Sequence, residues 1–297
     1  MPWYELNSAD DPKLNELAQK YHLHPLHLED ARSTDERIKV DQTAHYTFAV
    51  LKPVRIIPAS GATEQTASFS TLDIFAGSHE GEPFFITIAD PACPSTSDAL
   101  ARARREGSDD KPSRLLYLIL DSIVDLYFPA IDHYDDSIDA LEDKVIAQPE
   151  PGTLQQVFAL KRQLIDLRRV LVGTRDATLH LQRDPQSIVD AEHQPYVRDI
   201  YDHVVRLLDS VETQRDLVNN ALDIYLSSVA NRTNEVMKVL TVLGTIALPA
   251  IAISGIYGMN VKGLPFEDSP HGASYVAAFT LACTAALLVA FKKRNWF

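Results

Sequence analysis

Two uncharged stretches, Val239 to Ile256 and Ala273 to Phe291, stand apart from a chain that otherwise interleaves apolar and polar positions. Each is long enough, at about 18 residues or more, to cross a bilayer as a helix. Upstream, the chain mixes two periods. The runs Tyr46–Ile57, Thr66–Ala76 and Pro83–Ala89 predict strands, and Asp11–Lys20 and Ser95–Arg105 predict helices. From Pro112 the pattern is helical, with Leu116, Ile119, Leu120, Ile123, Leu126 and Tyr127 recurring at spacings of three and four. Breakers between Gln148 and Gly152 end that helix. Thr153 is placed to cap a second helix that runs to about Arg183, so an antiparallel hairpin is expected.

After Pro195 neither Pro nor Gly occurs until Gly244. One helix is therefore predicted from about Tyr196 through the first span to Ile256, on the order of 90 Å at 1.5 Å per residue. Its lower half carries Ile200, Val204, Leu207, Leu208 and Val211, as expected of a stalk that packs on the hairpin and on copies of itself. The expected fold class is an α+β membrane protein. It comprises an α/β cytoplasmic domain over 1–111, the hairpin over 112–190, the stalk over 191–238 and a first transmembrane helix over 239–256. An external loop over 257–272, a second transmembrane helix over 273–291 and a basic tail over 292–297 complete it.

Overall hydropathy is near neutral because a long polar region dilutes the spans. Charge is more informative. The net charge is −13, yet of 41 acids only Glu267 and Asp268 follow residue 235, against five of the 28 bases. The polar region is thus strongly acidic, which disfavours nucleic acid and attracts cations. Ordinary solubilising charge is an equally good account of that composition. Arg232 and Lys238 precede the first span and Lys292, Lys293 and Arg294 follow the second, which places both termini inside. The N-terminus lacks the basic and apolar segments of a secretory signal. Cys93 and Cys283 offer no disulfide framework.

Alternating steps of three and four along the long helix collect Asn234, Met237, Thr241, Gly244, Leu248, Ile251 and Gly255 on one face. Glycines let another helix approach closely, so this row is either a packing face between membrane helices or the lining of a pathway. Two helices cannot enclose a water-filled path, and a pore requires several chains around one axis. Pro249 removes the hydrogen bond to Thr245 and predicts a local bend, with nearby Thr hydroxyls available to the freed carbonyl.

The first span is followed by Tyr257-Gly258-Met259-Asn260. A Gly-Met-Asn tripeptide at the outer end of the first of two C-terminal spans resembles the CorA family of divalent-cation channels. The runs Val197–His203 and Ser227–Leu240 and the closing Lys292–Phe297 resemble that family in order as well. The resemblance implies a homopentamer in the inner (cytoplasmic) membrane that passes magnesium, cobalt and nickel. It implies a pore lining through Asn234, Met237, Leu240, Thr241, Gly244, Leu248 and Gly255, Leu240 standing where strict spacing selects Thr241.

Magnesium sheds its waters reluctantly, so a ring of Asn260 carbonyls and Gly258 backbone oxygens suits the hydrated ion. Gly258 is expected to permit a tight turn that Met259 holds by packing. Met237, Leu240 and Leu248 would form apolar rings that close by dewetting. Family members often carry Met at the position of Leu248 and a hydroxyl at that of Ile251, and these departures argue against a polar intramembrane site at that level. Asp199 matches a stalk aspartate that binds regulatory cytosolic magnesium with an acid from a neighbouring chain. The alternative for Asp199 is a solvated carboxylate beside Arg198.

Other features carry weaker chemistry. His22, His24 and His27 invite zinc, but Pro25 intervenes and no further ligand set is evident, so a structural role is preferred. The acids from Asp132 to Asp143 read as a solvated helix face, with cation concentration as their other role. No Walker loop, nucleophile elbow, Cys-pair zinc site or dinucleotide fingerprint is present, so no enzymatic activity is expected. The rival readings are a zinc transporter of the same superfamily, with or without proton coupling, and a membrane-anchored regulatory or scaffold protein.

Overall fold

The computed structural model describes residues 1–297 apart from 34–35, 59–64, 90–93, 107–110, 148–149, 185–186, 260–262, 267–268 and 295–297. It divides into two compact units, Met1–Leu222 and Asp223–Phe297.

In the first unit, strands β1 (Trp3–Leu6), β2 (Lys39–Gln42), β3 (Tyr46–Leu51), β6 (Leu72–His79) and β7 (Glu82–Ala89) form one sheet in the order β1-β7-β6-β3-β2. The β1–β7 pair is parallel and the other pairs are antiparallel. A separate two-stranded sheet pairs β4 (Val54–Pro58) with β5 (Gln65–Phe69). The apolar run from Tyr46 to Ile57 is thus two strands and not one. Pro53, which cannot donate to a ladder, stands between them.

Alternation gives the main sheet two faces. One carries Phe48, Val50, Phe75, Phe84 and Ile86 and buries them with Leu14, Leu17, Tyr21 and Leu23. The last four come from α1 (Pro12–Lys20) and the turn that leads to α2 (Pro25–Arg32). Pro stands at the first turn of both helices, and both are capped by the preceding side chain: Asp11 accepts from the Lys13 amide and His24 from the Leu26 amide. On the other face Ala49, Ile74, Ala76 and Phe85 are buried.

Helices α3 (Pro94–Glu106) and α4 (Pro112–Asp125) follow, then α5 (Tyr127–Ala147) and α6 (Pro151–Arg183). The single helix expected from Pro112 is therefore broken at Leu126, whose amide turns to the carbonyls of Ile123 and Val124. Pro129 explains the break, because it has no amide for the Asp125 carbonyl and its ring crowds that oxygen. Likewise Thr153 does not cap α6: Glu150 holds the N-cap position, and Thr153 is buried inside the first turn.

Helix α7 (Gln194–Gly258) begins in the first unit, where Val197, Ile200, Val204, Leu207, Val211 and Val218 are buried at helical spacing. Gln214 joins this face, its amide donating to the Ile131 carbonyl at 2.9 Å and to Asp135 Oδ1 at 2.7 Å. The second unit contains the remainder of α7 and α8 (Gly272–Lys293). Both helices are long and apolar enough to cross a membrane.

Candidate ion pathway and regulatory acid

In the second unit α7 presents two unlike stripes. Val242 is buried, and Thr245, Ile246, Pro249 and Ile253 are partly covered. The row Asn234, Met237, Leu240, Thr241, Gly244, Leu248, Ile251 and Gly255 is exposed throughout, Leu240 at 62% and Leu248 at 60%. A Cβ added to Gly244, Gly255 or Gly258 would meet nothing within 4 Å. The close approach that these glycines permit is therefore not used inside the chain, which leaves the row uncovered by α8.

Hydroxyl chemistry refines this face. Thr241 Oγ1 donates to the Met237 carbonyl at 2.7 Å, and Thr245 Oγ1 to the Thr241 carbonyl at 2.7 Å. Each hydroxyl proton is thus spent on the carbonyl four residues back, and only oxygen lone pairs remain for an outside partner. Neither hydroxyl serves the Thr245 carbonyl that Pro249 frees, contrary to the expectation from sequence. Pro249 lies inside one continuous helix.

The outer end departs further from expectation. Gly258 is the last residue of α7 and does not take a positive φ; among the described residues of this loop that conformation falls to Gly263 (φ 91) and Phe266 (φ 67). Met259 is 61% exposed and is not packed within the chain. Order comes from residues that the sequence reading did not select. Tyr257 Oη donates to the Pro265 carbonyl at 2.7 Å, and the Phe266 and Tyr275 rings lie 5.4 Å apart. Gly272 is required at the start of α8, because a Cβ there would stand 2.1 Å from the Phe266 carbonyl oxygen. No spacing in the sequence marks these contacts. Asn260, Glu267 and Asp268 lie outside the described residues.

Asp199 sits on the solvent side of α7, between the buried positions Val197 and Ile200, and its side chain is 69% exposed. Its neighbour is His203, one turn on, with Nε2 3.6 Å from Asp199 Oδ2. The His203 ring packs edge-on against Phe128 at 5.9 Å. Such a carboxylate has free lone pairs to offer a cation and fits one ligand of a divalent site.

Two of the three histidines near the N-terminus make structural contacts. His24 caps α2, and His27 Nδ1 lies 2.8 Å from Tyr46 Oη with its ring stacked on Phe48. Among the described residues the group able to share an ion is Asp190, Glu192 and His193. Its charges are already met internally: His193 Nδ1 lies 2.5 Å from Asp190 Oδ1, and Lys111 Nζ lies 2.9 Å from Glu192 Oε2. His193 and Lys111 outweigh the cost of partial burial and hold the Asp190 carboxyl below the usual range. These contacts and Ser113, 3.4 Å from the imidazole, tie the start of α4 to the start of α7.

An acidic polar region and two C-terminal helices long and apolar enough to cross a membrane fit a membrane protein. The comparisons agree. The family model described as "CorA-like Mg2+ transporter protein" matches residues 1–293. The chain belongs to this family, whose members are transporters and not enzymes. It is 36% identical over 278 residues to the cobalt/magnesium transport protein CorA of Thermotoga maritima, covering 92% of this chain and 77% of the relative. It is 29% identical over 299 residues to the putative metal ion transporter YfjQ of Bacillus subtilis, covering 99% of this chain and 89% of the relative. The fold matches the complete structure of the CorA magnesium transporter from Methanocaldococcus jannaschii with a TM-score of 0.81 at 24% identity, over 99% of this chain and 91% of that one.

Proposed function

We propose that the protein is a homopentameric divalent-cation channel of the cytoplasmic membrane that admits magnesium, and with it cobalt and nickel. The observation that carries this reading is the uncovered row on α7, a helix that ends at Gly258, with glycines where an added Cβ would meet nothing and a Thr241 hydroxyl left only with acceptor capacity. A row holding Asn234, Thr241 and two glycines is poorly matched to lipid, and several copies around an axis would cover it while enclosing a path.

Chemistry at the mouth follows from the ion. The last carbonyls of α7 have no intrahelical partner, and the helix ends with its negative dipole pole at Gly258. With Asn260 side-chain oxygens they offer neutral acceptors to the waters of hydrated magnesium. Glu267 and Asp268 raise the local cation concentration. The basic flanks at Arg232, Lys238 and Lys292–Arg294 put both termini on the cytoplasmic side. An inside-negative potential then drives a doubly charged ion inward with about 4.6 kcal/mol per 100 mV.

Met237 and Leu240, backed by Leu248, close the path by dewetting. Asp199, with an acid of a neighbouring copy, holds the regulatory magnesium that favours the closed state. In proteoliposomes of the full-length protein, Asn260→Ala lowers magnesium uptake by at least about tenfold, the equivalent of about 1.4 kcal/mol, with oligomer size unchanged. Uptake equal to the parent's would remove Asn260 from the mouth.

A further inference from the structure

A second site lies in the first unit, away from the residues assigned to transport. Its centre is Asp73 on β6. The ladder sets Asp73 opposite Val50 on one side and Ile88 on the other, with Leu6 beyond Ile88, so the carboxyl shares the face that α1 and the following turn bury. Asp73 is 4% exposed, and its Oδ1 has no hydrogen-bond partner. A buried acceptor left unpaired costs about 1–3 kcal/mol, so such a group calls for a partner from outside the chain.

The space for that partner is present. Asp73 lines a cavity of about 650 Å³ that opens at the carboxyl ends of the parallel strands β1 and β7, where ligands of α/β sheets commonly bind. Phe69, half-buried, supplies an aromatic surface, and Arg32 and Arg55, both exposed, stand at the edge. Neither guanidinium has a carboxylate partner among the described residues; Arg32 donates to Asn15 Oδ1 at 3.0 Å. Burial, aided by the charges of Glu36 and Asp30 and opposed by Lys39, pushes the Asp73 carboxyl up to about 8. Besides Asp73, the charged residues lining the cavity are Asp10, Arg32 and Arg55.

The geometry points to a nucleotide site: the base lies over Phe69 with its hydrogen-bonding edge on Asp73, and the phosphates lie at Arg32 and Arg55. Aromatic stacking and edge recognition are the usual means of holding a base. A carboxyl that keeps its proton both donates and accepts, which complements the amino group and ring nitrogen of adenine. Guanidinium is suited to phosphate. The volume exceeds what inorganic phosphate or a single metal ion fills. Among the described residues Asp73 belongs to no cluster of three or more potential metal ligands; that cluster is Asp190, Glu192 and His193.

The test is equilibrium binding of radiolabelled ATP to the full-length protein in detergent, with EDTA present and again at fixed free magnesium. Saturable binding is expected, competed by AMP and not by tripolyphosphate. Asp73→Leu and Arg55→Glu are each expected to weaken it by about tenfold or more. Arg55 is an exposed edge residue, so its variant keeps the test decisive if Asp73→Leu fails to fold. The assignment is overturned if the parent binds no ATP at millimolar concentration. It is also overturned if the folded variants bind as the parent does, or if tripolyphosphate competes as well as ATP.

Discussion

Asp199 Oδ2 lies 3.6 Å from Nε2 of His203, one turn farther along α7, while the carboxylate itself remains 69% exposed. The imidazole is held against Phe128, so the acid faces solvent with one neighbour fixed at its side. Removing its charge is expected to weaken closure by cytosolic magnesium and to leave the fold intact. In Asp199→Asn the internal magnesium concentration that half-inhibits flux rises several-fold. An inhibition curve that superimposes on the parent's would make Asp199 a surface charge.

Leu240 is 62% exposed in the single chain, as a side chain covered only by other copies would be. If its ring closes the path by repelling water, a small polar replacement wets the constriction without widening it. Leu240→Ser is expected to raise basal flux at high internal magnesium, where the parent is closed, and to change flux little at low internal magnesium. A stable, oligomeric variant no leakier than the parent would move the barrier to Leu248.

The long elements were legible and the short ones were not. Helices α7 and α8 follow from sustained apolar period and the scarcity of Gly and Pro, signals that many residues share. Strands β1 and β2 have four residues each and carry little pattern of their own. Trp3 in β1 is placed by β7, with its indole donating to Thr87 Oγ1 at 3.1 Å. The break at Leu126 was readable from Pro129 but hidden by apolar spacing that runs across it. Periodicity and the family resemblance mark the candidate row on α7, whereas its lack of cover within the chain shows only in the structure. The Asp73 cavity left no mark in the sequence, because it arises where β1, α2, β5 and β6 converge.

Asp73 also makes a prediction about stability. Its folded carboxyl is raised to about 8 by burial, with Glu36 and Asp30 adding to the shift and Lys39 opposing it. Unfolded, the group ionises near pH 4. The folded state therefore holds one more proton between these values, and this group's contribution is full below about pH 4 and lost as pH rises to about 8. The slope is at most about 1.4 kcal/mol per pH unit. Asp73→Asn is expected to gain in melting temperature over the parent as pH rises from 5 to 8. Parallel curves would show that Asp73 is ionised in the folded protein.

A channel of this kind passes divalent cations down their electrical gradient with no other protein or energy source. The direct measurement is magnesium entry into liposomes that contain the purified full-length chain and an internal magnesium indicator, with a potassium diffusion potential imposed by valinomycin. Entry is predicted to rise with inside-negative potential, to be indifferent to a pH gradient and to be blocked by cobalt hexaammine, a non-exchanging mimic of the hydrated ion. Entry that ignores the potential, or that requires a proton gradient, would show that the protein is not a potential-driven channel.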